Sequence, residues 1–181
     1  GDGKLDSSDR CMIGNPIPDI IYGINMGMAW KGLDLNLQFG GTIGNQIFNA
    51  MRYYTYFPND ITNKDRALMN YWTPNNTNTD IPRLTATDVN DNDRFSDMYV
   101  ENGTDFRLRN AQLGYTLPAS LTQRIKLQKV RFYVSGQNLF TISSYSGMDP
   151  EVGQSSSLSR RIDYGIYPQN ISFTGGINVT F

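Results

Sequence analysis

The chain has 181 residues, with 16 basic and 17 acidic side chains, a formal net charge of −1 and 39% hydrophobic residues. This length allows one domain with a sizeable core. The balanced charge provides no general basic patch for nucleic acid, and no segment approaches the ~20 apolar residues of a helical membrane span. The sequence has no histidine and one cysteine, Cys11. Histidine-dependent catalysis, histidine metal sites and an internal disulfide are therefore excluded.

The first ten residues, GDGKLDSSDR, match the second half of an EF-hand-like calcium loop. The candidate ligands are Asp2, Lys4 through its carbonyl, Asp6 and Asp9. The first two ligands of such a loop would precede Gly1, and an aspartate replaces the usual final glutamate. Calcium is therefore a candidate cofactor, and an acidic turn that contains glycine is the alternative. Because the motif is entered midway, we expect the chain to be the C-terminal portion of a longer protein.

Five segments alternate apolar and polar residues with the period of two that is typical of β-strands. They span residues 21–31, 33–43, 105–117, 128–140 and 170–181. Lys31 and Gly32 predict a tight turn between the first two strands. A change of parity in the third strand predicts a bulge near residues 109–110, and residues 118–127 are expected to hold one helical turn.

The polar set of these strands favours a wet surface over a dry core. Asp34 and Gln38 belong to it, and a dry core would have to pair each of them with a hydrogen-bonding partner. Transmembrane β-strands alternate in this way, with an apolar face toward lipid and a polar face toward a lumen. Together with Arg131, these side chains are expected to line that lumen.

The segments 44–103 and 141–169 lack periodicity and are predicted to be long loops, with a short helix at 66–71. Such loops are unusual inside a compact soluble domain. Short and long connections alternate along the chain, as they do in outer-membrane barrels, where the short turns are periplasmic. The predicted fold is all-β: residues 1–181 form five antiparallel strands of a transmembrane β-barrel with long extracellular loops. Closure needs ~8 strands or more, so further strands are expected upstream.

The first long loop is rich in aromatic and amide side chains. Aromatic rings stack on sugar faces, and amides can bond hydroxyl groups. The alternative is that the aromatic rings pack the loop onto itself. The candidates for substrate binding are Tyr53, Tyr54, Tyr56, Tyr71, Trp72, Asn75 and Asn76.

Several stretches together resemble the SusC/RagA-type TonB-dependent outer-membrane transporters of Bacteroidetes. They include FRLRNAQLGYTLP, VRFYVSGQNLFTIS, YSGMDPEV and YGIYPQNISFTGGINVTF. The resemblance implies the last five strands of a barrel of about 22 strands with a plugged lumen. It also implies residence in the cell outer membrane among its lipids, and a SusD-like lipoprotein as lid. Coupling to the TonB–ExbB–ExbD complex would run through a plug and TonB box that this sequence lacks. The implied substrate is an oligosaccharide (carbohydrate uptake) or a peptide.

Two other functions are alternatives to nutrient import. An outer-membrane barrel enzyme needs a clustered nucleophile and base, which the lack of histidine disfavours, so the chain is predicted not to be an enzyme. A soluble or surface calcium-binding β-module without transport activity is the other alternative. It predicts that the chain folds in water without detergent and that calcium raises its melting temperature.

Overall fold

A computed structural model of the protein describes residues 6–56, 63–85, 87, 93–152 and 159–181. The Asp2 and Lys4 ligand predictions lie outside these ranges. The chain divides into two compact units. The sheet unit comprises Pro18–Gly44, Thr104–Ser144 and Tyr167–Phe181, and the loop unit comprises Gly1–Ile17, Asn45–Gly103 and Tyr145–Ile166.

The strands and α-helices follow in chain order. They are β1 (Ile20–Trp30), β2 (Leu33–Ile43), β3 (Gln46–Asn49), α1 (Ala50–Tyr56), β4 (Val100–Asn102), β5 (Asp105–Thr116), α2 (Ala119–Thr122), β6 (Lys129–Ser143), β7 (Ile162–Asp163) and β8 (Ser172–Thr180). Short 3-10 helices lie at Ser7–Asp9, Arg66–Asn70, Asp97–Tyr99 and Gln123–Ile125. None of the helices described is both long and apolar enough to cross a membrane.

The sheet unit is a five-stranded antiparallel meander with the order β1-β2-β5-β6-β8. These are the five predicted strands. Their ends differ from the prediction by no more than a few residues, most at β6, which continues to Ser143. The five strands lie in the sheet in the same order as along the chain, although long segments separate β2 from β5 and β6 from β8.

The register gives this sheet one apolar and one polar face. Directly paired residues of antiparallel strands project to the same side. One row joins Trp30, Leu33, Tyr115, Phe132 and Ile177 across all five strands. These apolar side chains are exposed rather than packed, since Trp30 is 68% and Phe132 43% accessible. The opposite face carries the polar set of the strands.

The predicted bulge is confirmed in β5. Asn110 pairs with Gln38 and Leu108 pairs with Phe39, so Arg109 is an extra residue between them. The extra residue changes the parity of the strand. As a result Leu108 joins the apolar face, in register with Phe39.

The short connections also match their predictions. Lys31 and Gly32 both have positive φ, 47° and 88°, as a two-residue hairpin turn of the favoured hand requires. Residues 118–127 hold α2 and one 3-10 turn. That turn ends at Lys126 in the left-handed conformation.

The segments predicted as irregular loops contain more structure than expected. Strand β3 pairs with β4 in antiparallel and with β7 in parallel orientation, which forms a second sheet of three strands. The prediction of irregular loops missed these strands because strands of two to four residues are too short to show a period. The partners are also distant, since Phe48 pairs with Ile162. The helix predicted at 66–71 is a 3-10 helix capped by Asp65.

The loop unit has a small core of its own. Ile47 is fully buried and packs with Tyr145 and Val152, and the half-buried Ile166 lies against them. Within this core Tyr145 donates a hydrogen bond of 2.6 Å to Asp163. Burial first, and then this bond, raises the pKa of the Tyr145 phenol. The two predicted loops are therefore joined by a packed and hydrogen-bonded core.

Candidate substrate-binding surfaces

Helix α1 places three of the predicted binding tyrosines. Asn49 accepts a hydrogen bond from the backbone amide of Arg52 at 2.9 Å, in the manner of an N-cap. Tyr53 then lies in a cluster of rings, with centroids 5.0 Å from Phe95, 5.2 Å from Tyr99 and 5.3 Å from Tyr54. Burial raises the pKa of the Tyr53 phenol. This environment favours the packing alternative for Tyr53.

Tyr54 is more accessible than Tyr53, whereas Tyr56 is half-buried like Tyr53. Tyr54 is 52% exposed. The guanidinium carbon of Arg52 lies 4.8 Å from the centroid of the Tyr56 ring, within the range of a cation–π interaction. Arg52 and Tyr56 therefore present a charged and an aromatic group side by side.

This pair borders a cleft of ≈ 580 Å³, a volume in the range of small-ligand sites. Polar side chains beneath it form a network in which Asn49 donates to Glu101 at 3.0 Å and Ser146 donates to the same carboxylate at 2.8 Å. Arg52 lies 3.7 Å from Glu101. The cleft is lined by Asn49, Met51, Arg52, Thr55, Tyr56, Asp65, Ser146, Gly147, Met148, Asp163 and Gly165.

The other predicted binding residues lie in a compact turn. Trp72 donates its backbone amide to Ile81, and Thr73 pairs with Asn76 in a single β-bridge. The Asn76 side chain donates to Asn70 and to the carbonyl of Tyr71. Asn75 is exposed and Trp72 is 37% accessible. Asn76 therefore closes the turn, whereas Asn75 and Trp72 remain accessible to a ligand.

Sequence reasoning missed the cleft itself. Asn49 and Ser146 line it and are joined through Glu101, and the residues of each bonded pair are 45 or more positions apart. No local motif marks such residues. The one available signal was the tyrosine-rich run 53–56, which did indicate one wall.

A second cleft, of ≈ 1070 Å³, contains the described part of the predicted calcium loop. Asp6 accepts hydrogen bonds from the amide and hydroxyl of Ser8, and its own amide donates to Asp9. The two carboxylates thus form a capping box around a 3-10 turn. The bonds from Ser8 lower the pKa of Asp6. Among the residues described, no group of three or more metal-ligating side chains comes together.

The polar face of the sheet unit holds the three predicted lumen residues. Arg131 forms a bidentate ion pair with Asp34, with an Nε–Oδ1 distance of 2.9 Å. Gln38 pairs with Asn110 beside the bulge. This face is polar and partly hydrogen-bonded, as a wet lumen wall requires.

Known proteins resemble the chain along its whole length. TonB-dependent receptor P3 of Formosa agariphila is 39% identical over 100% of this chain and 18% of its own length. TonB-dependent receptor SusC of Bacteroides thetaiotaomicron is 28% identical over 100% of this chain and 17% of its own. The RagAB peptide transporter matches 91% of this chain and 17% of its own chain, with a TM-score of 0.76 and 33% identity. No protein-family model matches.

The chain thus spans about a fifth of the length of the proteins it matches. Their names describe receptors and a transporter, which agrees with the prediction that the chain is not an enzyme. Whole-chain identity, the structural match and the five-stranded antiparallel meander of this chain lead to one conclusion. The chain belongs to the SusC/RagA-type TonB-dependent receptors and forms part of their β-barrel.

Proposed function

We propose that the chain is the C-terminal part of the barrel of an outer-membrane importer of oligosaccharides or peptides. The importer works with a SusD-like lipoprotein and draws energy from the TonB–ExbB–ExbD complex through its plug. The support is family membership together with the names of the relatives, which include SusC and a peptide transporter.

The observation that carries this proposal is the exposed apolar face of the sheet unit. Aromatic residues bound it at two levels. Phe106 stacks on Phe39 at 5.3 Å and on Tyr22 at 6.5 Å, and Trp30 and Phe132 lie in the row at the other end. Outer-membrane barrels carry such aromatic girdles on both sides of an apolar band ~25 Å tall.

The spacing of the two levels fits a bilayer. Tyr22 and Trp30 are separated by eight residues of β1, which corresponds to about 27 Å along the strand. A tilt of ~40° reduces this to about 21 Å along the membrane normal. The apolar face therefore has the height of a membrane-spanning band, which supports location in the outer membrane.

Connectivity supports the orientation. The connections at Lys31 and at 118–127 are short, whereas β2 and β6 lead into the long segments of the loop unit. We assign the short turns to the periplasm and the loop unit to the outside. In this arrangement Tyr54, Tyr56, Trp72 and Asn75 contact the substrate, while Tyr53, Tyr71 and Asn76 maintain the shape of the surface.

The test uses the full-length protein in its own cell. Deleting the gene should remove uptake of one labelled class, oligosaccharides or peptides, and an uncoupler of the proton gradient should remove the same uptake. Complementation with the wild type should restore it, whereas Tyr56→Ala should restore it only in part. The SusD-like lipoprotein should co-purify from detergent extracts.

Two results would overturn the proposal. One is absence of the full-length protein from the outer-membrane fraction. The other is unchanged uptake of both substrate classes after deletion. A lipoprotein that fails to co-purify while uptake is lost would overturn the partner but leave the import function standing.

A further inference from the structure

The apolar face of the sheet unit contains a groove of ≈ 420 Å³. Leu35, Leu113, Val134 and Gly175 lie in one cross-strand row, and Phe173 lies beside them on β8. The first three provide apolar walls. Gly175 has no side chain, so the row has a gap at β8, with Phe173 on one side.

The gap above Gly175 is open space. A Cβ placed on Gly175 would meet only the backbone oxygen of Tyr133, at 3.9 Å. Phe173, which borders the gap, is 79% exposed. The groove is therefore an open apolar channel, about the width of one missing side chain.

The end of the sheet nearest to the groove is basic. The two short connections there, residues 31–32 and 117–128, contain Lys31, Arg124 and Lys126 and no Asp or Glu. All three are exposed. The next cation, Lys129, belongs to the polar face by its register, and Arg131 is paired with Asp34. Three cations therefore remain available at this end.

One of these cations lies at the boundary of the apolar face. The ammonium of Lys31 is 4.8 Å from the centroid of the Trp30 ring, and Trp30 is an exposed member of that face. The row that contains Trp30 is two residues from the groove row, which corresponds to about 7 Å. The basic turns and the apolar groove therefore lie close enough together for one lipid molecule to contact both.

We propose that this end of the sheet unit binds one anionic glycerophospholipid. Its phosphate contacts Lys31, Arg124 and Lys126, and one acyl chain lies in the groove over Gly175. The charge of the turns selects an anionic headgroup, because each Lys or Arg near a lipid surface favours anionic lipid by about fivefold. This inference rests on the proposed outer-membrane location.

The test measures lipid retention by native mass spectrometry on the purified full-length protein. Palmitoyl-oleoyl phosphatidylglycerol and phosphatidylcholine, which share the same acyl chains, are titrated separately. The wild type should retain at least one phosphatidylglycerol with an affinity tenfold or more above that for phosphatidylcholine. The triple variant K31Q/R124Q/K126Q should lose most of this preference.

The groove has a matched pair of variants. Gly175→Leu fills the channel and should weaken binding of both lipids, by about fourfold for each methylene displaced. Gly23→Leu is the control: a Cβ there also meets only a backbone oxygen at 3.9 Å, but Gly23 belongs to the polar face. Heat-dependent gel mobility shows whether each variant is folded. The triple variant changes only exposed turns, so it tests the inference even if Gly175→Leu does not fold.

Equal retention of the two lipids by the wild type would overturn the inference. So would equal effects of the two leucine variants when both are folded. Lipid retention is measured on purified protein and does not depend on import, so loss of the lipid preference in a protein that still imports its substrate leaves the proposed function intact. Absence of the full-length protein from the outer membrane would overturn both the lipid inference and the proposed function.

Discussion

Arg131 and Asp34 lie on strands that are not neighbours, and their ion pair crosses the central strand β5. It can do so because Gly114, between them, has no side chain: a Cβ there would overlap the guanidinium and the carboxylate. The Arg131 and Asp34 side chains are 15% and 26% exposed, respectively. The pair therefore links β2 directly to β6 on the polar face.

Asp34→Asn should lower the stability of the barrel, because a bidentate, partly shielded pair becomes a weaker hydrogen bond. Gly114→Val should have at least as large an effect, since its side chain displaces both partners. Urea titration of the full-length protein, followed by gel mobility, measures the change. A double variant with Arg131→Gln should show coupling, and additive effects would contradict the pairing.

Tyr145 makes the loop unit sensitive to alkaline pH. Its folded pKa is raised above the ordinary value of 10.0, first by burial and then by the bond to Asp163. The folded state therefore holds its proton more tightly, so this stability is fully present below about pH 10 and declines as the pH rises above it. Beyond the intrinsic rise of amide exchange with pH, hydrogen exchange around β7 should accelerate as the pH rises above about 10.

Tyr145→Phe provides the check on that alkaline effect. It should weaken the pH dependence and cost about 1–3 kcal/mol at neutral pH, because Asp163 loses a buried donor. Tyr164→Phe is the matched control, since Tyr164 is 55% exposed. A variant that retains the full alkaline acceleration would refute the assignment to Tyr145.

The two adjacent tyrosines of α1 separate packing from binding. Tyr53→Ala removes the centre of the ring cluster and should lower the stability of the loop unit by about 3 kcal/mol. Tyr54→Ala should leave stability within about 0.5 kcal/mol and reduce substrate uptake. Limited proteolysis of the folded protein and an uptake assay distinguish the two. Equal loss of stability would show that both rings only pack the surface.

Asn75 and Asn76 provide a second matched pair. Asn76→Ala removes donors to Asn70 and to the Tyr71 carbonyl and should destabilise the turn by about 1 kcal/mol. Asn75→Ala should leave proteolysis around the turn unchanged and lower apparent substrate affinity. Unaltered affinity in Asn75→Ala would remove that residue from the binding surface.

Calcium and acid test the N-terminal turn. The folded pKa of Asp6 is lowered by the bonds from Ser8, so its contribution is present above its unfolded pKa of about 4 and disappears as the pH falls below that value. Asp6→Asn should remove this acid dependence, measured by hydrogen exchange at Ser8.

If calcium raises the melting temperature of the full-length protein and Asp6→Asn abolishes the shift, the calcium-loop hypothesis is supported; no shift would reject it.

The strands of the sheet unit were predictable because the residues of each strand alternate between an apolar and a polar face. A period of two over nine or more residues identifies a strand with two different faces, and the break in parity between Leu108 and Ala111 located the bulge. The positive φ of Lys31 and Gly32 follows from a two-residue hairpin. All of this information is local.

The loop unit was not predictable in the same way. Strands β3, β4 and β7 are too short to show a period, and the pairing of Phe48 with Ile162 joins distant parts of the chain. The roles of neighbouring residues also diverge, since Tyr53 is enclosed by rings while Tyr54 is exposed. Composition identified an aromatic surface but not which rings hold it together.

The sequence alone determined the strands, their faces, the bulge and the family resemblance, because alternation and turn chemistry are written in adjacent residues. Only the tertiary structure decided which side chains meet across long separations. Examples are the Arg131–Asp34 pair over Gly114, the Asn49–Glu101–Ser146 network beside the cleft and the gap over Gly175. These arrangements depend on strand register and on chain closure between distant segments, neither of which leaves a local signal.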